Sequence, residues 1–163
     1  LEFNVYQLSA LTLLIFVATP AIAQEVPMGC YTREYSSDHL AQHPEQVVER
    51  MSILFTQAEW GVAADVQVQL ADQGHAARDG YGGMRVSELA GNFNEPLNFG
   101  VECDGGQFEV LSNDSTGIMI ETSQFRLTDD GCGGDGIYST LGEENSSTTR
   151  YKLHKSNDVE CRW

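Results

Sequence analysis

Two histidines, His39 and His43, stand four residues apart, the spacing that puts two imidazoles on one face of a helix and, in zinc proteases, two ligands on one metal. Such a site also needs a glutamate base next to the first histidine, and position 40 is Leu40. His43 precedes Pro44, and a residue before proline is driven out of the α conformation, so a helix is expected to end there. A metal-dependent hydrolase using His39 and His43 is therefore an alternative reading. His75 and His154 are distant in sequence and read as ordinary histidines. A second constellation is Asp129, Asp130 and Asp135, set among Gly131, Gly133, Gly134 and Gly136. Calcium takes six to eight oxygens, often from acidic turns, so these three aspartates are a candidate calcium site. The EF-hand spacing is absent, and aspartate and glycine are also what turns are made of. The same three residues are a candidate acidic contact for a basic partner.

Nucleophilic chemistry finds little to work with. There is no Gly-x-Ser-x-Gly elbow and no glycine-rich phosphate loop after a strand. A carboxylate pair could hydrolyse a glycoside, but with 24 aspartates and glutamates no pair stands out. No catalytic residue is assigned. The four cysteines, Cys30, Cys103, Cys132 and Cys161, are too scattered for a zinc site built on close pairs. Their even number favours two disulfides in an oxidising compartment. Three connectivities are possible. The preferred one joins Cys30 to Cys161, tying the two ends of the domain, and Cys103 to Cys132.

That compartment is indicated independently. Leu8–Ala23 is an apolar run shorter than the roughly 20 residues of a spanning helix. It ends in Ala21-Ile22-Ala23, a small-x-small cleavage pattern. Residues 1–23 read as a secretory signal peptide, although no Lys or Arg precedes the apolar run. The expected mature chain starts near Gln24 and is not held in a membrane after cleavage. The net charge of the chain is −15 at pH 7. Such a surface repels nucleic acid and anionic lipid and attracts cations or basic proteins.

The elements that must position these residues are strands. Met51, Ile53 and Phe55 alternate with Ser52, Leu54 and Thr56, and Ala64, Val66, Val68 and Leu70 with Asp65, Gln67 and Gln69. Period two means one buried face and one wet face. Further strands are expected at 84–89, at 97–103, around Phe108 and Val110, around Ile118 and Ile120, around Phe125 and Leu127, and around Tyr151 and Leu153. Asp104-Gly105-Gly106 is expected to supply the positive φ angles of a tight hairpin. Ser36, Ser37 and Asp38 can cap a short helical turn that Pro44 stops. The expected organisation is an irregular segment over 24–46 and one β-rich domain over 47–163. Seven or eight short strands joined by turns indicate an all-β fold, a small antiparallel barrel, with a sandwich as the alternative.

Two segments add a resemblance. Cys30-Tyr31-Thr32-Arg33-Glu34-Tyr35 with His39-Leu40-Ala41-Gln42-His43-Pro44, and Val101-Glu102-Cys103-Asp104-Gly105-Gly106-Gln107-Phe108, together resemble a group of small uncharacterised exported bacterial proteins. That resemblance implies export and no particular activity. Size, export and acidity are also those of periplasmic lysozyme inhibitors, which are small β-barrels, an analogy of architecture alone. The expected function is an exported, non-catalytic acidic binding protein, an inhibitor of a basic enzyme such as lysozyme being one form of it. The alternatives are the small metal-dependent or carboxylate hydrolase and a structural protein of the envelope.

Overall fold

The computed structural model describes residues 25–92, 97–128, 138–144 and 148–163. Residues 1–24, which include the expected signal peptide, and the 129–137 stretch lie outside them. Among the described residues nine strands form one antiparallel system: β1 (Gly29–Glu34), β2 (Val48–Ala58), β3 (Gly61–Leu70), β4 (Arg85–Gly91), β5 (Asn98–Gly100), β6 (Gly106–Asp114), β7 (Gly117–Thr128), β8 (Tyr138–Thr140) and β9 (Thr149–Ser156). Each of β2 to β7 pairs with the next, β7 pairs with β9, and β9 pairs with β1, which pairs with β2. Eight strands thereby close a barrel. The ninth, β8, extends from the far half of β7: positions 117–122 of β7 face β9, and Arg126–Thr128 face β8. Closure removes the unpaired edges that an open sheet would expose.

The period-two reading places the inner face correctly on β2 and β3. Met51, Ile53, Phe55, Ala64, Val66, Val68 and Leu70 are all buried. Phe55, Phe99, Phe108 and Phe125 fill the lumen in a chain of ring contacts 5.0–5.3 Å apart (centroid to centroid) from Phe55 to Phe99, Phe99 to Phe108 and Phe108 to Phe125. Each such ring contributes large buried area and directional contacts.

Several expectations shift. The segment 24–46 contains barrel strand β1, whose Tyr31 is buried, and the helix α1 (Ser37–Gln42), capped by Ser36 Oγ accepting from His39 N. The strand expected over 97–103 shortens to β5, because Cys103 and Asp104 both take φ near +58° and turn the chain one residue earlier than the glycines suggest. Gly106 carries the next positive φ, +78°. Ile118 and Ile120, and Phe125 and Leu127, belong to one strand rather than two. A short helix, α2 (Gly74–Arg78), interrupts the β3–β4 connection.

Among the described residues β4 and β5 share one paired position, Gly91 opposite Gly100. Beside this thin seam Glu88 of β4 meets Arg126 of β7, Oε2 to Nε 3.7 Å, both side chains nearly buried. That distance is ion-pair contact without a hydrogen bond. The guanidinium spends its Nη atoms on carbonyls, donating to Cys103 O at 3.2 Å and Glu102 O at 3.1 Å. The chain's last residues cross the outside of the barrel. Cys161 bonds Cys30 as expected, and Trp163 donates Nε1–H to Ser52 Oγ at 3.0 Å with its ring between Arg50 and Arg85. Cys103 is also in a disulfide; its expected partner, Cys132, lies outside the described residues.

Candidate functional site at one end of the barrel

Antiparallel pairing sends alternate connections to opposite ends. The tight β2–β3 and β6–β7 turns share one end. The opposite end collects the longer segments: β1 to β2 with α1, β3 to β4 with α2, and β7 to β9 with β8. Side chains tie these segments together. Gln73 Nε2 donates to the carbonyls of His43 and Gln46, which fastens the start of α2 to the α1 segment. His75 of α2 is buried and its Nε2 lies 3.1 Å from Gly142 O. Tyr151 Oη donates to Leu141 O at 2.8 Å from inside the barrel, and Glu143 N donates to Thr149 Oγ1 at 2.8 Å. The turn Leu141–Glu144 is thus held from three sides.

Between α2 and this turn lies a cavity of about 360 Å³. Its charged residues are Arg78, Asp79, Glu143 and Glu144, and Ser139, Gln124 and Thr140 supply neutral polar groups. Arg78 is already engaged, with Asp79 Oδ1 at 3.0 Å and with Glu144. Glu143 has no Lys or Arg in ion-pair contact among the described residues. Burial pushes its carboxyl above the usual glutamate range; Glu45 pushes the same way, and His43 opposes. Burial likewise raises the Tyr35 hydroxyl, with Arg33 opposing, and raises Tyr151 strongly. Ser139 Oγ is buried and has no hydrogen-bond partner among the described residues.

The opposite end carries a second groove, of about 370 Å³, beside Tyr31, Asn113, Asp114 and Lys155. Its polar groups are largely satisfied within the chain. Tyr31 Oη donates to Asn113 Oδ1 at 3.4 Å, Asn113 Nδ2 donates to Glu25 O at 3.0 Å, and Asp114 Oδ1 accepts from Thr116 N and Oγ1 at 2.7 Å each.

The sequence-derived candidates distribute unevenly over this frame. Asp129, Asp130 and Asp135 lie outside the described residues, so neither the calcium site nor the acidic contact is located. Their flanks are: Thr128 and Tyr138 pair with one another on β7 and β8, at the cavity end. His39 and His43 do meet, their rings 4.4 Å apart, although His43 leaves the helix with φ −128° as its proline neighbour demands. Each has another partner: His39 Nε2 lies 3.1 Å from Gln46 Oε1, and His43 Nδ1 lies 4.0 Å from Glu45. Among the described residues no three His, Cys, Asp or Glu side chains are grouped to hold a metal ion. The sequence reading passed over Ser139, Glu143 and Arg78. No local pattern marks them, because they come from α2, β8 and a turn that pairing alone brings together. No protein-family model, curated protein or solved structure matches the chain significantly.

Proposed function

We propose that the protein is an exported, non-catalytic binding protein of the periplasm or the extracellular space, which meets a basic partner through its acidic surface. Lysozyme is the first concrete candidate. The observation that carries this reading is the Glu143 carboxylate, half-buried with no Lys or Arg in ion-pair contact among the described residues, at the rim of a barrel whose lumen is filled with side chains. A filled barrel offers its rim and outer surface to a ligand rather than a deep chamber. The rim in question is acidic, and the stretch holding Asp129, Asp130 and Asp135 leaves and rejoins the described chain beside it. The Cys30–Cys161 disulfide fits an oxidising compartment. Among the described residues no helix is long and apolar enough to cross a membrane.

Electrostatic recognition makes association fast at low salt and weaker as salt rises, since charges are screened beyond about 8–10 Å at physiological ionic strength. Calorimetric titration with lysozyme at two ionic strengths, beside a lysozyme activity assay, tests the candidate. The expected result is saturable binding that weakens with salt. Absence of saturable binding together with undiminished lysozyme activity would remove lysozyme, and the same outcome across a panel of basic envelope proteins would remove the reading.

A further inference from the structure

Ser52 lies between Met51 and Ile53, which face the lumen, so its own side chain points out of the barrel, yet it is fully buried. Trp163 covers it, donating Nε1–H to Ser52 Oγ at 3.0 Å. Two guanidinium groups hold the indole: Arg50 Cζ lies 4.4 Å and Arg85 Cζ 4.8 Å from the ring centroid. Strand register builds this slot. Arg50 of β2 opposes Gln69 of β3, which opposes Arg85 of β4, so the two backbones stand two strand spacings apart, roughly 9–10 Å. Gln69 between them aims Arg85 by accepting from its Nε at 3.1 Å, and is itself fixed by donating to Gly83 O. Among the described residues no Asp or Glu is in ion-pair contact with Arg50 or Arg85, in a chain whose net charge is −15. Even Glu34, directly across from Arg50 on β1, makes no such contact.

We propose that Arg50, Ser52 and Arg85 form a recognition slot for a tryptophan side chain, occupied in cis by Trp163, and that its occupant in trans is a tryptophan on an acidic segment of a partner protein. The seated Trp163 displays what the slot accepts: a π face for two cations and an N–H for one hydroxyl. Tryptophan answers all three groups at once, whereas phenylalanine lacks the donor and an aliphatic side chain lacks the π face. Charge selects what flanks the ring. Two guanidinium groups with no carboxylate beside them attract acidic residues on either side of an entering tryptophan. The occupant in cis follows a stretch of that kind, Asp158-Val159-Glu160. Exchange needs little movement. Cys161 is anchored to Cys30, and between that anchor and the indole stands Arg162, exposed, its backbone N–H on Val159 O at 3.3 Å. Rotation about Arg162 frees the slot while the disulfide and the barrel stay intact. The slot shares no residue with the cavity at α2. The inference therefore goes beyond the reading above and stands or falls separately from it.

The test uses the mature protein, ¹⁵N-labelled and with its disulfide intact, titrated with three end-capped tripeptides while amide shifts are followed: glutamyl-tryptophyl-glutamate, lysyl-tryptophyl-lysine and glutamyl-leucyl-glutamate. In Trp163→Ala, which removes the occupant in cis, the acidic tryptophan peptide should give saturable shifts centred on Arg50, Ser52 and Arg85. The basic tryptophan peptide should bind more weakly and the leucine peptide not at all. Wild type should bind the acidic tryptophan peptide at the same residues about tenfold more weakly, because a tethered occupant competes. In the Trp163→Ala background, Arg50→Gln and Arg85→Gln should each weaken binding by roughly two- to fivefold, the worth of one exposed cation–π contact. Ser52→Ala should weaken it by a similar factor, and Glu109→Gln, on β6, should leave it unchanged. Thermal melts confirm that each variant folds, and the wild-type titration with and without Arg50→Gln decides the matter if Trp163→Ala does not. No saturable shift in wild type or Trp163→Ala, equal binding of the leucine peptide, tighter binding of the basic peptide, or indifference to both arginine substitutions overturns the proposal. So does a wild-type dimer in sedimentation that Trp163→Ala abolishes, since that would assign the slot to Trp163 of a second copy.

Discussion

Glu88 is a carboxylate on the inward side of a strand, between Val86 and Ala90, where alternation calls for an apolar residue. Arg126 compensates from across the seam. Removing one partner of a buried pair leaves an uncompensated charge, which typically costs about 3–5 kcal/mol. Arg126→Met should therefore destabilise by about that amount in urea denaturation, and it also strips the Glu102 and Cys103 carbonyls of their donors. The double variant Glu88→Gln/Arg126→Met should recover a large part of the loss. The pair also predicts a pH dependence. Burial raises the Glu88 carboxyl above the usual range, with Arg126 pulling the other way. The folded state then holds this proton more tightly than the unfolded chain does. Its contribution is full below the ordinary glutamate pKa of about 4.3 and is lost as pH rises through the higher folded value. Glu88→Gln should flatten that part of the stability–pH curve; an unchanged slope would assign it to another group.

At the scale of elements, alternation is decisive on β3 and fails on β7 for a physical reason. Val66 is fully buried, while the neighbouring Gln67 faces outward. Val66→Asp places an unpaired charge in the lumen, which costs several kcal/mol or unfolds the domain; Gln67→Asp should shift the melting temperature little. Comparable losses at both positions would mean that the inward face is misassigned. On β7, Ile120 and Phe125 both point inward although five residues apart, which strict alternation forbids. The pairing with β6 explains it: Gln107 opposes Gln124 but Glu109 opposes Glu121, so β7 holds one extra residue there. Such a bulge reverses the inward parity and bends the strand. It lets one strand serve β9 with its first half and β8 with its second, where the sequence suggests two separate strands.

For the molecule as a whole, the Cys30–Cys161 bond fastens β1 to the 3-10 turn at Asp158–Cys161 across a sequence separation of 131 residues. A cross-link over so long a loop restricts the unfolded chain strongly. Removal of a native disulfide from a small domain typically costs about 2–5 kcal/mol. Cys30→Ser/Cys161→Ser should lower stability by about that much in chemical denaturation, and adding reductant should not destabilise this variant through the missing bond. The β1–β9 pairing it reinforces, Cys30 to Thr32 against Ser156 to His154, is the short seam that closes the barrel. Loss of the bond should therefore show first as faster amide exchange on β1. Protection unchanged from wild type would place the weak seam elsewhere.

What the sequence by itself determines is the chemistry that acts over neighbours. Period two in Met51–Phe55 and Ala64–Leu70 dictates an inner face, the serine before α1 dictates a cap, Pro44 dictates where that helix stops, and an even number of scattered cysteines behind a run that reads as a signal peptide points to disulfides. Each of these depends on residues within a few positions of one another, or on composition. Tertiary structure alone decides the rest, because it depends on which distant segments closure brings side by side. A β1 strand hidden in a segment of mixed polarity forms because β2 and β9 flank it on both edges. Glu88 becomes an ion-pair partner only where the β4–β5 seam thins. Ser139, Glu143 and Arg78 share a cavity because alternate turns of an antiparallel barrel land at the same end. A single glutamate in a turn looks in sequence like any of 24 acids; partial burial with no Lys or Arg in ion-pair contact among the described residues is what distinguishes Glu143, and burial is a property of the packed molecule.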